Sequence, residues 1–156
     1  MGVAGSNKPG GSKQLDDKIA RVILGAGRSQ PIYHIPSIEK IALIRQGISK
    51  KQLGIIKDEV ELDYDDLSGL LAVSRANLIG KKGNQKFDSS TSERIFLLAD
   101  VVTYGRFIFG DNDNFNEWLK TPSKALGNVT PLSMMDTLYG IEEVKREVTR
   151  IGYGVF

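Results

Sequence analysis

The chain has 156 residues, 40% hydrophobic and 26% charged, with 21 Lys and Arg against 19 Asp and Glu for a net charge of +2. That composition is ordinary for a soluble globular protein with room for one domain or two very small ones. The chain has no cysteine and a single histidine, His34, which excludes disulfides, Cys-ligated metals, thiol catalysis and multi-His metal sites.

The apolar runs are too short for a membrane-spanning helix, and the first residues lack the apolar core of a signal peptide, so the cytoplasm is the expected location. Few side chains suit catalysis, and no enzyme, cofactor or metal site is expected. The charge is uneven: +3 over residues 1–30, +1 over 31–91 and −2 over 92–156. A local basic patch can serve an anionic partner even in a near-neutral chain.

Residues 1–14, rich in Gly, Ser, Lys and Pro, read as disordered or partly vector-derived. Leu15, Ile19, Val22 and Ile23 recur at helical spacing, and Gly25 and Gly27 end that helix. Pro31 and Pro36 bracket an extended connector holding His34, for which a packing or surface role is expected. Ser37 is positioned to cap a helix facing inward through Ile38, Ile41, Ala42 and Ile44, with Gly47 at its end. Ser49 caps a short helix through Leu53 and Ile56. Asp63 caps the next, with Leu67, Leu70 and Leu71 inward, and Leu78 and Ile79 face inward on the one after it. Ser90 and Glu93 have capping-box spacing and open the longest helix, whose stripe is Ile95, Leu98, Ala99, Val102 and Phe109, with Gly110 at its end. Trp118 and Leu119 lie on a short helix. Thr130-Pro131 starts another, running over Leu132, Met135 and Leu138 to Gly140. The last uses Ile141, Val144, Val148 and Ile151. No segment alternates like a strand, so the fold class is all-α, with about nine short helices.

Asp66-Leu-Ser-Gly-Leu-Leu-Ala-Val-Ser-Arg-Ala-Asn-Leu78 reads as a helix-turn-helix, at about 63–82. Val73 plugs the angle between the helices, Ser74 caps the second, and Leu78 anchors it. Arg75 and Asn77 then stand where a recognition helix presents base-reading side chains. Lys81, Lys82 and Lys86 can meet phosphates. An ordinary helical hairpin with a solvated basic end gives the same pattern. Ala72 stands where many such turns carry Gly, at a cost of about 1 kcal/mol if left-handed. Gly80 weakens the recognition helix by a similar ~1 kcal/mol.

Two other motifs fail. Gly25-Ala-Gly-Arg-Ser29 lacks phosphate-loop spacing and reads as a helix stop. Gly110-Asp-Asn-Asp-Asn-Phe-Asn-Glu117 starts like a calcium loop, but Phe115 and Asn116 occupy its fifth and sixth positions, so a helix end and cap is expected.

The C-terminal part carries Phe109-Gly110, Trp118-Leu119, Thr121-Pro122, Ala125-Leu126-Gly127, Pro131-Leu132 and Arg150-Ile-Gly-Tyr-Gly-Val155, ending on Phe156. Read physically, it is a small helical unit with an aromatic tail, which can anchor a partner or fold back onto its own core. In order and spacing these motifs resemble the Xre/MbcA/ParS antitoxins of type II toxin–antitoxin systems, over about residues 37–156.

The resemblance implies an Xre-like helix-turn-helix domain (15–90) followed by a C-terminal toxin-binding domain (91–156). It implies an antitoxin that blocks the active site of a cognate RES-domain toxin, which consumes NAD or transfers ADP-ribose. It also implies a repressor of the shared operon. Carried onto this chain, Arg146, Arg150, Ile151, Gly152, Tyr153, Gly154, Val155 and Phe156 would bind the toxin, and Ser74, Arg75 and Asn77, with Lys81 and Lys82, operator DNA. Gly80 departs from relatives that carry a basic side chain near there. Two half-sites about 34 Å apart call for a homodimer, and a dimer holding a toxin at each end for a larger symmetric assembly. A stand-alone regulator with a C-terminal dimerisation domain, and a small enzyme built on Asp/Glu chemistry, are the rival readings.

Overall fold

A computed structural model describes residues 17–25 and 31–154. Leu15, Gly27, most of the Gly25–Ser29 motif, the segment 1–14, Val155 and Phe156 lie outside the described residues. Among the described residues there are nine α-helices: α1 (Lys18–Leu24), α2 (Ser37–Gln46), α3 (Lys50–Val60), α4 (Tyr64–Leu71), α5 (Arg75–Gly80), α6 (Ser89–Phe109), α7 (Asn112–Leu119), α8 (Pro131–Met134) and α9 (Leu138–Gly152). A single 3₁₀ turn spans Ile32–His34 and another Lys124–Leu126. Two isolated β-bridges, Ser49 with Lys86 and Ser123 with Val129, are the only extended pairing among the described residues.

α6 is the axis of the fold. α1, α2, α3, α4, α7, α9 and the 32–34 turn all pack on it. The reason is in its sequence: Ile95, Phe96, Leu98, Ala99, Val101 and Val102 bury nearly every side, not one stripe. Gly105 lets α7 approach closely, since a Cβ there would fall 2.0 Å from the Phe115 ring. Gly110, left-handed at φ 72°, closes the helix.

Most helix starts follow their side chains. Asp17 caps α1, and Ser49 with Gln52 and Asp63 with Asp66 form reciprocal capping boxes on α3 and α4. Thr130 caps α8 with Pro131 in its first turn. Five local expectations fail. The cap of α6 is Asp88, which accepts from the Thr91 amide at 2.8 Å, so Ser90 and Glu93 form no capping box. Ser37 is not the cap of α2: Pro36 holds that place and the helix begins at Ser37. α2 packs through Leu43 and Ile44, which leaves Ile38 74% and Ile41 42% exposed and turns Ala42 outward. Ile79 likewise faces outward.

The fifth concerns Gly140. The helix from Pro131 stops at Met134, and α9 starts at Leu138 under a Thr137 cap. Gly140 is inside α9 and ends nothing. A Cβ on it would fall 1.6 Å from the Met134 carbonyl oxygen, so only glycine lets α8 fold down on α9.

The end of α3 is held from far along the chain. Its last carbonyls have no partner within the helix. Asn116 Nδ2 donates to the Glu59 carbonyl at 3.0 Å, and the buried Arg106 guanidinium donates to the same oxygen and to the Glu59 carboxylate. Lys120 Nζ donates to the Glu61 carbonyl at 2.7 Å. Side chains of α6 and α7, with Lys120 just beyond, thus fix the turn that leads into α4.

Candidate functional sites: a helix-turn-helix and the end of the last helix

α4 and α5 form the helix-turn-helix. The Asp63 carboxylate accepts from the Asp66 amide at 2.8 Å, and that bond holds its pKa below the usual carboxylate range. The Asp88 carboxylate, capping α6, is lowered by the Thr91 amide in the same way. Ala72 ends α4 at φ 55°, ψ 42°, a left-handed residue with a Cβ. The turn is stapled by Ser68 Oγ, which donates to the Val73 carbonyl at 2.8 Å. Ser74 accepts from the Asn77 amide at 3.1 Å and starts α5, and Leu78 is the buried anchor.

Of the five predicted DNA-reading residues, Ser74 is occupied as a cap, with its hydroxyl still at the surface. Arg75 is exposed, its guanidinium 3.4 Å from the equally exposed Asp65 carboxylate. A surface pair of this kind is worth at most about 1 kcal/mol, so the arginine is easily drawn to another acceptor. Asn77 stands exposed in the first turn of the helix. Gly80 is its last residue, so Lys81 and Lys82 follow the helix and do not extend it. Lys81 also lies over the Phe87 ring at 5.8 Å, and Lys86 donates to the Gln46 carbonyl at 3.2 Å. One structural neighbour of α5 had no local signal: Lys50, which opens α3, donates to the carbonyls of Leu78 and Lys81 and closes the C-terminus of α5. Its partners are some thirty residues away in sequence.

The other site is the last turn of α9. Phe109, Phe115 and Trp118 pack together beneath it, with ring centroids 5.3 to 5.8 Å apart: Phe115 stacks on Trp118, and Phe109 meets Phe115 edge-on. Lys145 Nζ pairs with the buried Asp100 carboxylate at 2.9 Å, and Tyr104 and Thr149 share a hydroxyl hydrogen bond of 2.9 Å. These bonds pin α9 to α6. Arg146 is exposed and paired with Glu143, and Arg150 is paired with the buried Glu147. Ile151 is half-buried, and Gly152 packs where a Cβ would meet Ile108 at 3.0 Å. The Tyr153 and Gly154 amides still donate to the carbonyls of the last turn of α9. Tyr153 is 82% exposed, and Gly154 turns left-handed at φ 74°. Six of the eight predicted toxin-binding residues are therefore grouped at one end of one helix. Val155 and Phe156 fall outside the described residues.

No helix among the described residues is long and apolar enough to cross a membrane. Asp111, first of the calcium-like acids, accepts from the Asn114 amide at 2.9 Å and caps α7.

Comparison with known proteins bears on both sites. Residues 39–100 match the antitoxin Xre-like helix-turn-helix domain, and residues 105–154 the antitoxin Xre/MbcA/ParS C-terminal toxin-binding domain. A protein named Prs ADP-ribosylating antitoxin, from Sphingobium sp. (strain YBL2), is 27% identical over 135 residues, covering 80% of this chain and 85% of the relative. Two proteins named antitoxin Xre also match. That of Photorhabdus laumondii subsp. laumondii is 38% identical over 74 residues and that of Yersinia enterocolitica 35% over 72. The matched part spans about half the length of each of these two, 50% and 49%. With the helix-turn-helix and the toxin-binding domain present in that order, the chain belongs to the Xre/MbcA/ParS antitoxins.

Proposed function

We propose that this antitoxin neutralises a RES-type toxin, one that consumes NAD or transfers ADP-ribose, by placing the end of α9 and the residues after it in the toxin's nucleotide cleft. The observation that carries the reading is Tyr153: a large aromatic standing 82% exposed beyond a helix end pinned to the core. Such a side chain offers contact area at little entropic cost. Arg146, Arg150, Ile151, Gly152, Gly154, Val155 and Phe156 complete the toxin-facing surface. The blockade is steric and the chain turns nothing over.

The second half of the proposal is autorepression. Arg75 and Asn77 read base edges, Ser74 sets the N-terminus of α5, and Lys81 and Lys82 meet phosphates. A homodimer presents two copies of α5 to successive major-groove faces. The working division is a DNA-binding part over 15–90 and a toxin-binding part over 91–156, and the site of action is the cytoplasm.

One experiment with two arms tests this. Cells carry the product of the reading frame beside this gene together with either the full chain or a chain ending at Thr149. The full chain should protect them and the truncated chain should not; survival with the truncated chain sinks the steric reading. In the second arm, Arg75→Ala with Asn77→Ala should weaken operator binding in a gel shift by at least about tenfold, since each good base contact is worth about 1–3 kcal/mol. Protection should stay intact. Unchanged operator affinity removes these residues from DNA reading.

A further inference from the structure

Beside the last turn of α9 lies an open groove of about 440 Å³ that the proposed blockade meets only at Ile151. Its walls are Phe109, Trp118, Ala125 and Ile151, with Lys124 and Glu147 at the edge. We infer that this groove seats an apolar side chain of the partner toxin, aromatic or branched, with a toxin carboxylate beside it. The inference rests on the antitoxin reading above and adds to it a second anchor, apart from the tail.

The groove has the size and apolar character of a binding site formed in advance. Phe109, Phe115 and Trp118 brace each other, with centroid separations of 5.3, 5.5 and 5.8 Å. Rings held this way have already lost their rotamer freedom, so filling the groove costs little further ordering. The toxin is the favoured occupant for two reasons. Every residue lining the groove lies within 105–154, the segment matched by the toxin-binding domain. And Ile151, one wall of the groove, shares the last turn of α9 with Arg150 and Gly152, so the groove is continuous with the proposed toxin-facing surface.

The edge specifies a carboxylate. Glu147 is buried and already neutralised by Arg150, whose side chain is 44% exposed. Lys124 is exposed. The charge presented outward is therefore positive. A two-fold contact between copies of this chain centred on the groove would set cavity against cavity and cation against cation.

Trp118 supplies the test, because the chain has one tryptophan. Grown with 5-fluorotryptophan, it gives a single ¹⁹F resonance that reports on the groove wall. The probe is the purified, unlabelled product of the adjacent reading frame. Its addition should move the resonance. Ala125→Tyr, at an exposed position, should fill the groove, leave the far-UV circular dichroism unchanged and raise Kd about tenfold, the loss expected of one buried anchor. Lys124→Glu should raise Kd roughly threefold in low salt and by less in high salt.

If the probe binds but the resonance stays put, or Ala125→Tyr binds as tightly as the wild type, the groove is not the anchor and the antitoxin reading stands. If the probe does not bind the wild type, both fall. A resonance that moves with the chain's own concentration, without probe, names a second copy as occupant. One that moves when the chain is ended at Gly154, without probe, names its own tail. Either result overturns the inference.

Discussion

Ala72 has a Cβ in a left-handed conformation, which costs on the order of 1–2 kcal/mol relative to glycine in the folded chain. Glycine would return part of that, about 0.4–1 kcal/mol, through the greater freedom it gives the unfolded chain. Ala72→Gly should therefore stabilise the protein by up to about 1 kcal/mol, or a few degrees in Tm, in a thermal melt. A lower Tm would show that the Ala72 methyl makes a contact worth more than the strain. The strain was legible in the sequence because Ala72 and Val73 sit between two helices of fixed register. Glu61, left-handed at φ 59°, was not. It closes α3 as a left-handed cap, its amide donating to the Asp58 and Lys57 carbonyls, while Lys120 holds its own carbonyl at 2.7 Å, a partner that no local pattern shows.

At the level of helices, glycine does opposite things in different places. Gly54 is inside α3, where an added Cβ would have nothing within 4 Å, whereas a Cβ at Gly140 would fall 1.6 Å from a backbone carbonyl oxygen. Gly54→Ala should stabilise by about 0.5–1 kcal/mol, from helix propensity alone. Gly140→Ala should destabilise by about 3 kcal/mol or more, because backbone must move. Urea titration of both variants checks the pair, and equal signs would refute the packing of α8 on α9. The same contrast shows where the sequence could be read. Caps such as Ser49, Asp63 and Thr130 declare themselves within three residues. The break between α8 and α9 does not, because Leu132, Met135 and Leu138 keep helical spacing across it. In α2 the expected face was Ile38, Ile41, Ala42 and Ile44, but only Ile44 of these packs inward, beside Leu43. Which face turns inward is decided by α6, and no periodicity within α2 can say. The same rule holds around the candidate sites: the helical geometry of α5 and of the end of α9 is local and was readable, whereas the ties made by Lys50 and Arg106 act across distance and were not.

For the molecule as a whole, α6 removes any clean seam. It begins inside the segment matched as helix-turn-helix, ends inside the segment matched as toxin-binding, and supplies core to both. Arg106 and Asn116 add a polar tie from the second segment to the end of α3 in the first. The described part should therefore unfold as one unit. Trp118 fluorescence reports on the C-terminal side and far-UV circular dichroism on all the helices, and their urea transitions should coincide. Separate midpoints would mean that the two matched segments melt independently.

A cellular protease would meet this chain as a single object. Most of the α6 backbone is enclosed by six other helices while the protein is folded, so digestion of the shared axis has to wait for global opening. Once that happens, neither half is left to work alone. Under the proposed function, release of the toxin and derepression of its operon then share one clock, set by the opening equilibrium of a single helix-centred core.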